Sequence, residues 1–375
     1  MHDRLVIGGG VAGVASAREL AASGERVALV RAGPGASALG GGGWSGPLPE
    51  RLGAALAAAG LPHVACPAPL PHPAGELRRF DFAAASHVAP VLGSGAIVCG
   101  IFGLPAFHAA VLARLWGCGN GVLVELPGTP GAGWSPVALA SHLEREPAAL
   151  ISAVQSVTGG AEVVILPAVL GLASSALHER LEDELGVRVV EALGVPPSVP
   201  GWRLDRALLR CLEQAGIERI DGRVIGRDIV GSRVRGVHVV GAAGRQFLEA
   251  DGFVLATGRF IGGGIRTHAM TGTVPVASGA ALRESALVEG ALGCAVWIDH
   301  LDQRFTTVQP VPLTDAVRAA GQPLLAAGVH VDRAGRPVDL HGHLHYENVS
   351  AAGAVIAGRS AGLGHAASPP VPAAA

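Results

Sequence analysis

Residues with the means to do chemistry gather at three places in the sequence. Gly8, Gly9, Gly10 and Gly13 lie within LVIGGGVAGVASARELAASGERVALVRAG, residues 5–33. Gly8, Gly10 and Gly13 satisfy the GxGxxG spacing. The first two permit a tight turn and the close approach of a phosphate, the third lets helix and strand pack, and the helix N-terminus favours the anion. Thr257 and Gly258 belong to ADGFVLATGRFIGGG, residues 250–264, a strand leading into a turn past which a dinucleotide or flavin can run without side-chain clash. Gly353 sits in YENVSAAGAVIAG, residues 346–358, at the glycine end of a third such strand. His268, with Arg259 and Arg266 just after the ATG turn, offers a base and two cations, residue types able to take a hydroxyl proton and hold an anion. Their ordinary reading is a surface loop.

One position qualifies the phosphate reading. Arg31 stands at the end of the second strand, where a dinucleotide-binding unit carries an acid for a ribose hydroxyl. An acid accepts the hydroxyl hydrogens of an adenosine ribose, whereas Arg only donates. A mononucleotide such as FMN therefore fits better than the motif alone implies, with FAD as the other flavin. An NADP 2′-phosphate meeting Arg31 is the alternative.

The elements that must hold these residues follow from periodicity. Leu5–Ile7, a helix over Val11–Ser23 and Val27–Val30 read as β-turn-α-β, and the continuously apolar strands suit a parallel sheet buried on both faces. A second αβ block has strands at Ala96–Ile101, Gly121–Leu126 and Val163–Leu166, and helices at Phe107–Trp116, Ser135–Leu150 and Leu172–Gly186. After PPSVPG a helix spans Arg203–Ala215, then short strands lead to Phe253–Ala256, and a last strand covers Asn348–Ile356. The fold class is α/β: a Rossmann-like FAD/NAD(P)-binding fold with a parallel sheet and an inserted second αβ domain. Residues 1–90, 195–270 and 345–365 form the discontinuous nucleotide-binding part. Residues 91–194 and 271–344 form the inserted part, and 366–375 a disordered tail. PAPLPHP, residues 67–73, reads as extended linker with little capacity to pack.

Composition removes several functions. The net charge of −2 supplies no basic field for nucleic acid or anionic lipid. Every one of the 28 Lys+Arg residues is Arg, so Schiff-base chemistry and any Lys base within this chain are excluded. The five Cys are scattered with no CxxC pair, against a disulfide framework, zinc site or iron–sulfur cluster and in favour of a reducing compartment. No signal peptide is expected, since the βαβ pattern begins within the first residues. Residues 82–113 hold no Asp, Glu or Arg and would suffice for a span of ~20 residues. Their Gly, Pro and His residues instead divide the run into strand, loop and helix. In HGHLHYEN, His341, His343 and His345 alternate and would share one face of a strand. Solvated histidines are preferred there to a metal site, because spacing alone fixes neither ligand count nor geometry.

IGGGVAG, GIFGLPAF (100–107), VVILPAVLGL (163–172), GVPPSVPGWRL (194–204), ATGRFIGGGI (256–265), GVHVDRAGRPV (328–338) and NVSAAGAVIAG (348–358) occur in this order. Together they resemble the B subunit of anaerobic glycerol-3-phosphate dehydrogenase, a flavoprotein of the fumarate-reductase-like group. LPAVLGL and PPSVPGWRL are the most diagnostic, since they lie outside the generic nucleotide fold. The resemblance implies a three-subunit complex. In it a catalytic A subunit carries FAD and the glycerol 3-phosphate site, the B subunit a flavin taken to be FMN, and a C subunit iron–sulfur clusters and membrane attachment. Electrons then pass to quinone, and this chain sits in the cytoplasm, peripheral to the membrane through a partner. It also implies that His268, Arg259 and Arg266 keep their surface-loop role, the substrate site lying on the catalytic partner. Two departures stand out: GGGWSGPL (41–48) lacks the acid of the family's corresponding loop, and the family's closing helix has only AGRSAGLGHAASPPVPAAA in its place. The alternative readings are a stand-alone FAD- or NADP-dependent oxidoreductase and a cofactor-free scaffold subunit.

Overall fold

The structure is a computed structural model that describes residues 2–89, 92–105, 107–126, 133–275, 281–298, 303–304, 327–339 and 341–358, with the backbone alone over 267–275, 281–287, 298 and 303–304. The expected tail lies outside the described residues. The chain separates into two compact units, one of residues 1–36 with 212–362 and 366–375, the other of 37–211 with 363–365. Residues 37–89 and 195–211, assigned from sequence to the nucleotide-binding part, thus cluster with the αβ block, and 271–344, assigned to the inserted part, cluster with the nucleotide-binding unit.

In the first unit, strands His2–Ile7 and Val27–Arg31 flank helix Val11–Ala22. A seven-stranded sheet runs in the order Glu218–Asp221, Val27–Arg31, His2–Ile7, Gly244–Leu255, Arg233–Gly241, Arg223–Val230, with Val349–Ala351 also on Gly244–Leu255. Pairing is parallel from Glu218–Asp221 to Val349–Ala351 and antiparallel where Arg233–Gly241 joins. All five residues of Val27–Arg31 are buried, as a parallel strand covered on both faces requires. Leu5, Ala28, Val237, Leu255 and Val355 are 0% exposed within this unit's core. The last strand is only Val349–Ala351, shorter than expected, because Gly353 turns the chain at φ +75.

The second unit is built on a parallel four-stranded sheet in the order Arg188–Glu191, Val163–Leu166, Ala96–Ile101, Asn120–Val124. Helices Ala109–Trp116, Pro136–Arg145, Pro147–Gln155 and Ala176–Leu185 accompany it. The charge-poor run 82–113 resolves into strand, turn, strand and helix. Among the described residues no helix is long and apolar enough to cross a membrane.

Three local expectations are corrected. The single helix over Ser135–Leu150 is two, because Pro147 drives Glu146 out of the helical region to φ −129, ψ 63. The helix expected from Leu172 begins at Ala176, since the Glu144 carboxylate accepts the Leu172 and Ala173 N–H groups at 2.9 and 2.7 Å and holds them in a loop. PAPLPHP is no idle linker: Leu70 is 1% exposed, Leu70–Pro71 pairs with Leu77–Arg78, and Leu193 N–H donates to the Pro71 carbonyl.

Ile165, 0% exposed in the Val163–Leu166 strand of this sheet, measures what the core contributes. Ile165→Ala is expected to lower the unfolding free energy by about 2–5 kcal/mol, read from the denaturant midpoint at unchanged slope.

Candidate functional site

The glycine turn is closed by its own backbone. Gly8 N–H donates to Val30 O at 2.9 Å and Ala256 N–H to Ile7 O at 2.8 Å, so the turn is fixed where three parallel strands end. Gly8 has φ +125, and a Cβ there would lie 2.1 Å from Ala256 O. A Cβ on Gly13 would lie 1.8 Å from Gly8 O, which shows how closely the helix rides on the turn. Gly10 caps helix Val11–Ala22 without a side chain, and no acid occupies the first helical turn. The first N–H groups of the helix thus face the turn with their partial positive charge uncompensated by a local carboxylate.

The other expected cofactor residues converge on the same turn. A Cβ on Gly9 would meet Arg31 Cβ at 2.7 Å and Cδ at 3.0 Å, so the Arg31 side chain lies against the glycine turn; it is 6% exposed. A Cβ on Gly353, which has φ +75, would sit 2.4 Å from Ala12 Cβ at the start of the helix. Thr257 N is 2.9 Å from the Gly8 Cβ position, and Gly258 follows at φ +70. Gly8, Gly9, Gly10, Gly13, Arg31, Thr257, Gly258 and Gly353 are therefore brought together: the atoms nearest Gly8 and Gly13 are backbone, and the Arg31 side chain lies against Gly9. That arrangement fits a pyrophosphate or phosphate-bearing cofactor.

The proposed catalytic trio is not brought together in the same way. Arg259 is 8% exposed rather than a surface-loop residue, and burial pushes its guanidinium down to about 10. Arg266 is exposed. The backbone of His268 pairs with Ala286 in a hairpin, while its side chain lies outside the described residues. His341, His343 and His345 do not alternate on a strand: Asp339 Oδ1 accepts the N–H groups of His341 and His343 at 2.8 and 2.9 Å, forming a turn.

Three charged side chains that sequence alone left unmarked are buried. Glu289, 0% exposed, accepts Thr257 Oγ1–H at 3.0 Å, Ala291 N–H at 2.9 Å and Leu292 N–H at 2.6 Å. An isolated acid inside the apolar run LVEGALGCAV is the signal that marks it. Within the second unit, Arg203 and Glu191, both 0% exposed, form a bidentate pair at 2.7 and 2.9 Å. Arg203 Nε–H also donates to Gly171 O at 3.1 Å, and Glu191 Oε1 accepts Leu170 N–H at 2.8 Å. The diagnostic segments LPAVLGL and PPSVPGWRL thus meet at one buried ion pair. His87 donates Nδ1–H to the Glu191 carbonyl at 2.9 Å, and burial lowers its pKa, keeping the ring neutral.

This strand order, with a glycine cradle at its first crossover, is that of the Rossmann-like FAD/NAD(P)-binding fold. Residues 3–57 match the family profile described as FAD binding domain. Similar curated proteins are more particular. The B subunit of a probable anaerobic glycerol-3-phosphate dehydrogenase from Halobacterium salinarum is 30% identical over 292 residues, covering 72% of this chain and 63% of that protein. The B subunit of the anaerobic glycerol-3-phosphate dehydrogenase from Vibrio cholerae is 32% identical over 155 residues, 39% of this chain and 35% of that protein. The resemblance seen in the ordered sequence segments is therefore borne out, and the chain spans about 63% of the length of the Halobacterium relative.

Among solved structures, 3-ketosteroid delta1-dehydrogenase from Sterolibacterium denitrificans is 15% identical, covering 68% of this chain and 47% of that one, with a TM-score of 0.31. A flavocytochrome c3 fumarate reductase is likewise 15% identical, covering 68% and 33%, with a TM-score of 0.27.

Proposed function

We propose that this chain is the flavoprotein B subunit of an anaerobic glycerol-3-phosphate:quinone oxidoreductase and relays electrons from a catalytic flavin partner to an iron–sulfur partner. The observation that carries the flavin part is the Gly13–Gly8 approach, which packs the helix N-terminus on the backbone of the phosphate turn. The names of the curated relatives support the glycerol 3-phosphate part. FAD is the form supported by the matched domain. FMN is the finer proposal and rests on Arg31, which offers hydrogen-bond donors where an adenosine ribose needs acceptors.

Bound flavin would supply two-electron acceptance and release in single-electron steps. The chain's own residues bind and orient it. The N–H groups at Gly10 and beyond face the phosphate, Gly8 and Gly13 let the backbone close on it, and Gly258 and Gly353 clear the turns on either side. Residues 91–194 are proposed as the partner-facing part, since 271–344, grouped with them from sequence, cluster with the unit that holds the glycine cradle; the location is then cytoplasmic, peripheral to the membrane through the iron–sulfur partner. His268, Arg259 and Arg266 are assigned no substrate role, because glycerol 3-phosphate is placed on the catalytic partner. No nucleic-acid partner enters the proposal.

Anaerobic reduction tests the relay. The bound flavin of the isolated chain is expected to stay oxidised with glycerol 3-phosphate and to bleach once the catalytic partner is added. Bleaching by glycerol 3-phosphate alone would move the substrate site onto this chain. Bleaching by NADPH alone would favour the stand-alone oxidoreductase, in which Arg31 meets a 2′-phosphate.

A further inference from the structure

The turn 257–264 that flanks the phosphate cradle has no regular ladder of its own to hold it. It is held from outside by residues 289–293. Gly290 N–H donates to Gly264 O at 2.8 Å, and a Cβ on Gly290 would lie 2.4 Å from Gly263 O, so the two turns are in backbone contact. A side-chain bond joins them as well, from Thr257 Oγ1–H to Glu289 Oε1 at 3.0 Å. Further Glu289 lone pairs are taken by its own turn, through Ala291 N–H and Leu292 N–H.

We propose that Glu289 is a positioning residue for the flavin site: its buried carboxylate clips Thr257 to the 289–293 turn and so fixes the 256–265 backbone against the Gly8 cradle. This rests on the flavin reading above. A carboxylate accepts all three donors at once, whereas a protonated or amide side chain must spend one position as a donor with no acceptor opposite it. The surroundings sharpen that requirement. Glu289 is 0% exposed, its charged or titratable neighbours include the Cys294 thiol, the Tyr346 phenol and Arg227, which donates Nε–H to Tyr346 Oη at 2.7 Å, and Arg266 Nε lies 3.6 Å from the Cβ position of the adjacent Gly290. Tyr346 in turn donates to Leu292 O at 3.0 Å, so this set braces the turn rather than neutralising Glu289.

The pH consequence follows with its sign. Burial pushes the Glu289 carboxyl above its ordinary value of 4.5, outweighing the hydrogen bonds it accepts. The group therefore takes up a proton at a higher pH than an exposed glutamate does, and protonation undoes the clip. Flavin affinity is expected to be constant at neutral pH and to fall on mild acidification, before exposed carboxylates titrate.

The test uses the full chain, with FAD and FMN each titrated by fluorescence from about pH 7.5 to about pH 5. Glu289→Gln is expected to weaken flavin binding by about tenfold at the upper end of that range and to flatten the pH dependence. Thr257→Val should weaken binding similarly, and the double variant no more than the worse single, since both remove one bond. Backbone hydrogen exchange is measured on the flavin-free chain, where Glu289→Gln should expose the 256–265 amides while the 163–166 strand stays protected. Additive losses, an unchanged pH profile in Glu289→Gln, or unchanged exchange at 256–265 would overturn the clip. No uptake of either flavin by the natural chain would overturn the flavin reading instead, and the exchange measurement would still decide on the clip.

Discussion

Replacing Arg203 with methionine is expected to lower the unfolding free energy of the 37–211 unit by about 3–5 kcal/mol at neutral pH, because it strands a buried carboxylate. Glu191 is 0% exposed, and its acidity results from opposed effects: burial raises its pKa, while the Arg203 charge, the Arg203 hydrogen bonds and the Leu170 N–H outweigh burial and hold it at about 2. In the natural chain the contribution of Glu191 is fully present above its ordinary pKa of 4.5 and is lost only as pH falls toward about 2. In Arg203→Met burial dominates, the carboxyl titrates well above its ordinary range, and acidification neutralises the stranded charge. The stability gap between variant and natural chain should therefore narrow between about pH 7 and about pH 5. A gap that is small at neutral pH, or constant across that range, would contradict the buried pair as described.

Gly13→Ala carries the other large effect. Its Cβ would lie 1.8 Å from Gly8 O, a backbone atom held by the strand end, so the helix must move away from the turn. Overpacking of this kind costs about 1–3 kcal/mol, and here the displacement falls on the N–H groups that face the phosphate. A loss of flavin affinity of about tenfold or more is expected, along with a lower Tm. Gly8→Ala adds the strain of φ +125 to a 2.1 Å overlap with Ala256 O and should be at least as damaging. Gly93→Ala is the control: a Cβ there meets nothing within 4 Å, and it should change stability by less than about 0.5 kcal/mol. Flavin affinity unchanged in Gly13→Ala would remove the phosphate from this turn.

These two sites also show where the sequence was legible. Short apolar runs bounded by turns placed the parallel strands Ala96–Ile101 and Val163–Leu166 at their observed bounds, because a strand buried on both faces has no alternative composition. The glycine cradle was legible because strand, turn and helix are contiguous and the Gly13–Gly8 approach is local, whereas the approaches of Gly8 to Ala256 and of Gly353 to Ala12 are long-range. Helix limits were lost where a tertiary bond competed with local propensity, as Glu144 does at Leu172 and Ala173. The Arg203–Glu191 pair and the Thr257–Glu289 clip were not legible, since their partners lie 12 and 32 residues apart on different elements. Charged residues read in isolation default to solvent, and only the folded chain shows which are buried against a partner.

The departures from the family's pattern gain a physical setting as well. In the loop 41–48, Gly41 has no room for a Cβ beside Gly194 O, at 2.8 Å, and Gly42 none beside His87 Nε2, at 2.3 Å. This part of the loop is packed on the Glu191 region through backbone alone.

The central claim is that the Gly8–Gly13 turn holds a flavin phosphate. The most direct measurement is to purify the natural chain, release its cofactor by heat, and identify and quantify it chromatographically beside Gly13→Ala. The account predicts about one flavin per chain, FAD or FMN, and little or none in the variant. A nicotinamide dinucleotide, no cofactor in a folded natural chain, or equal flavin in both proteins would contradict it.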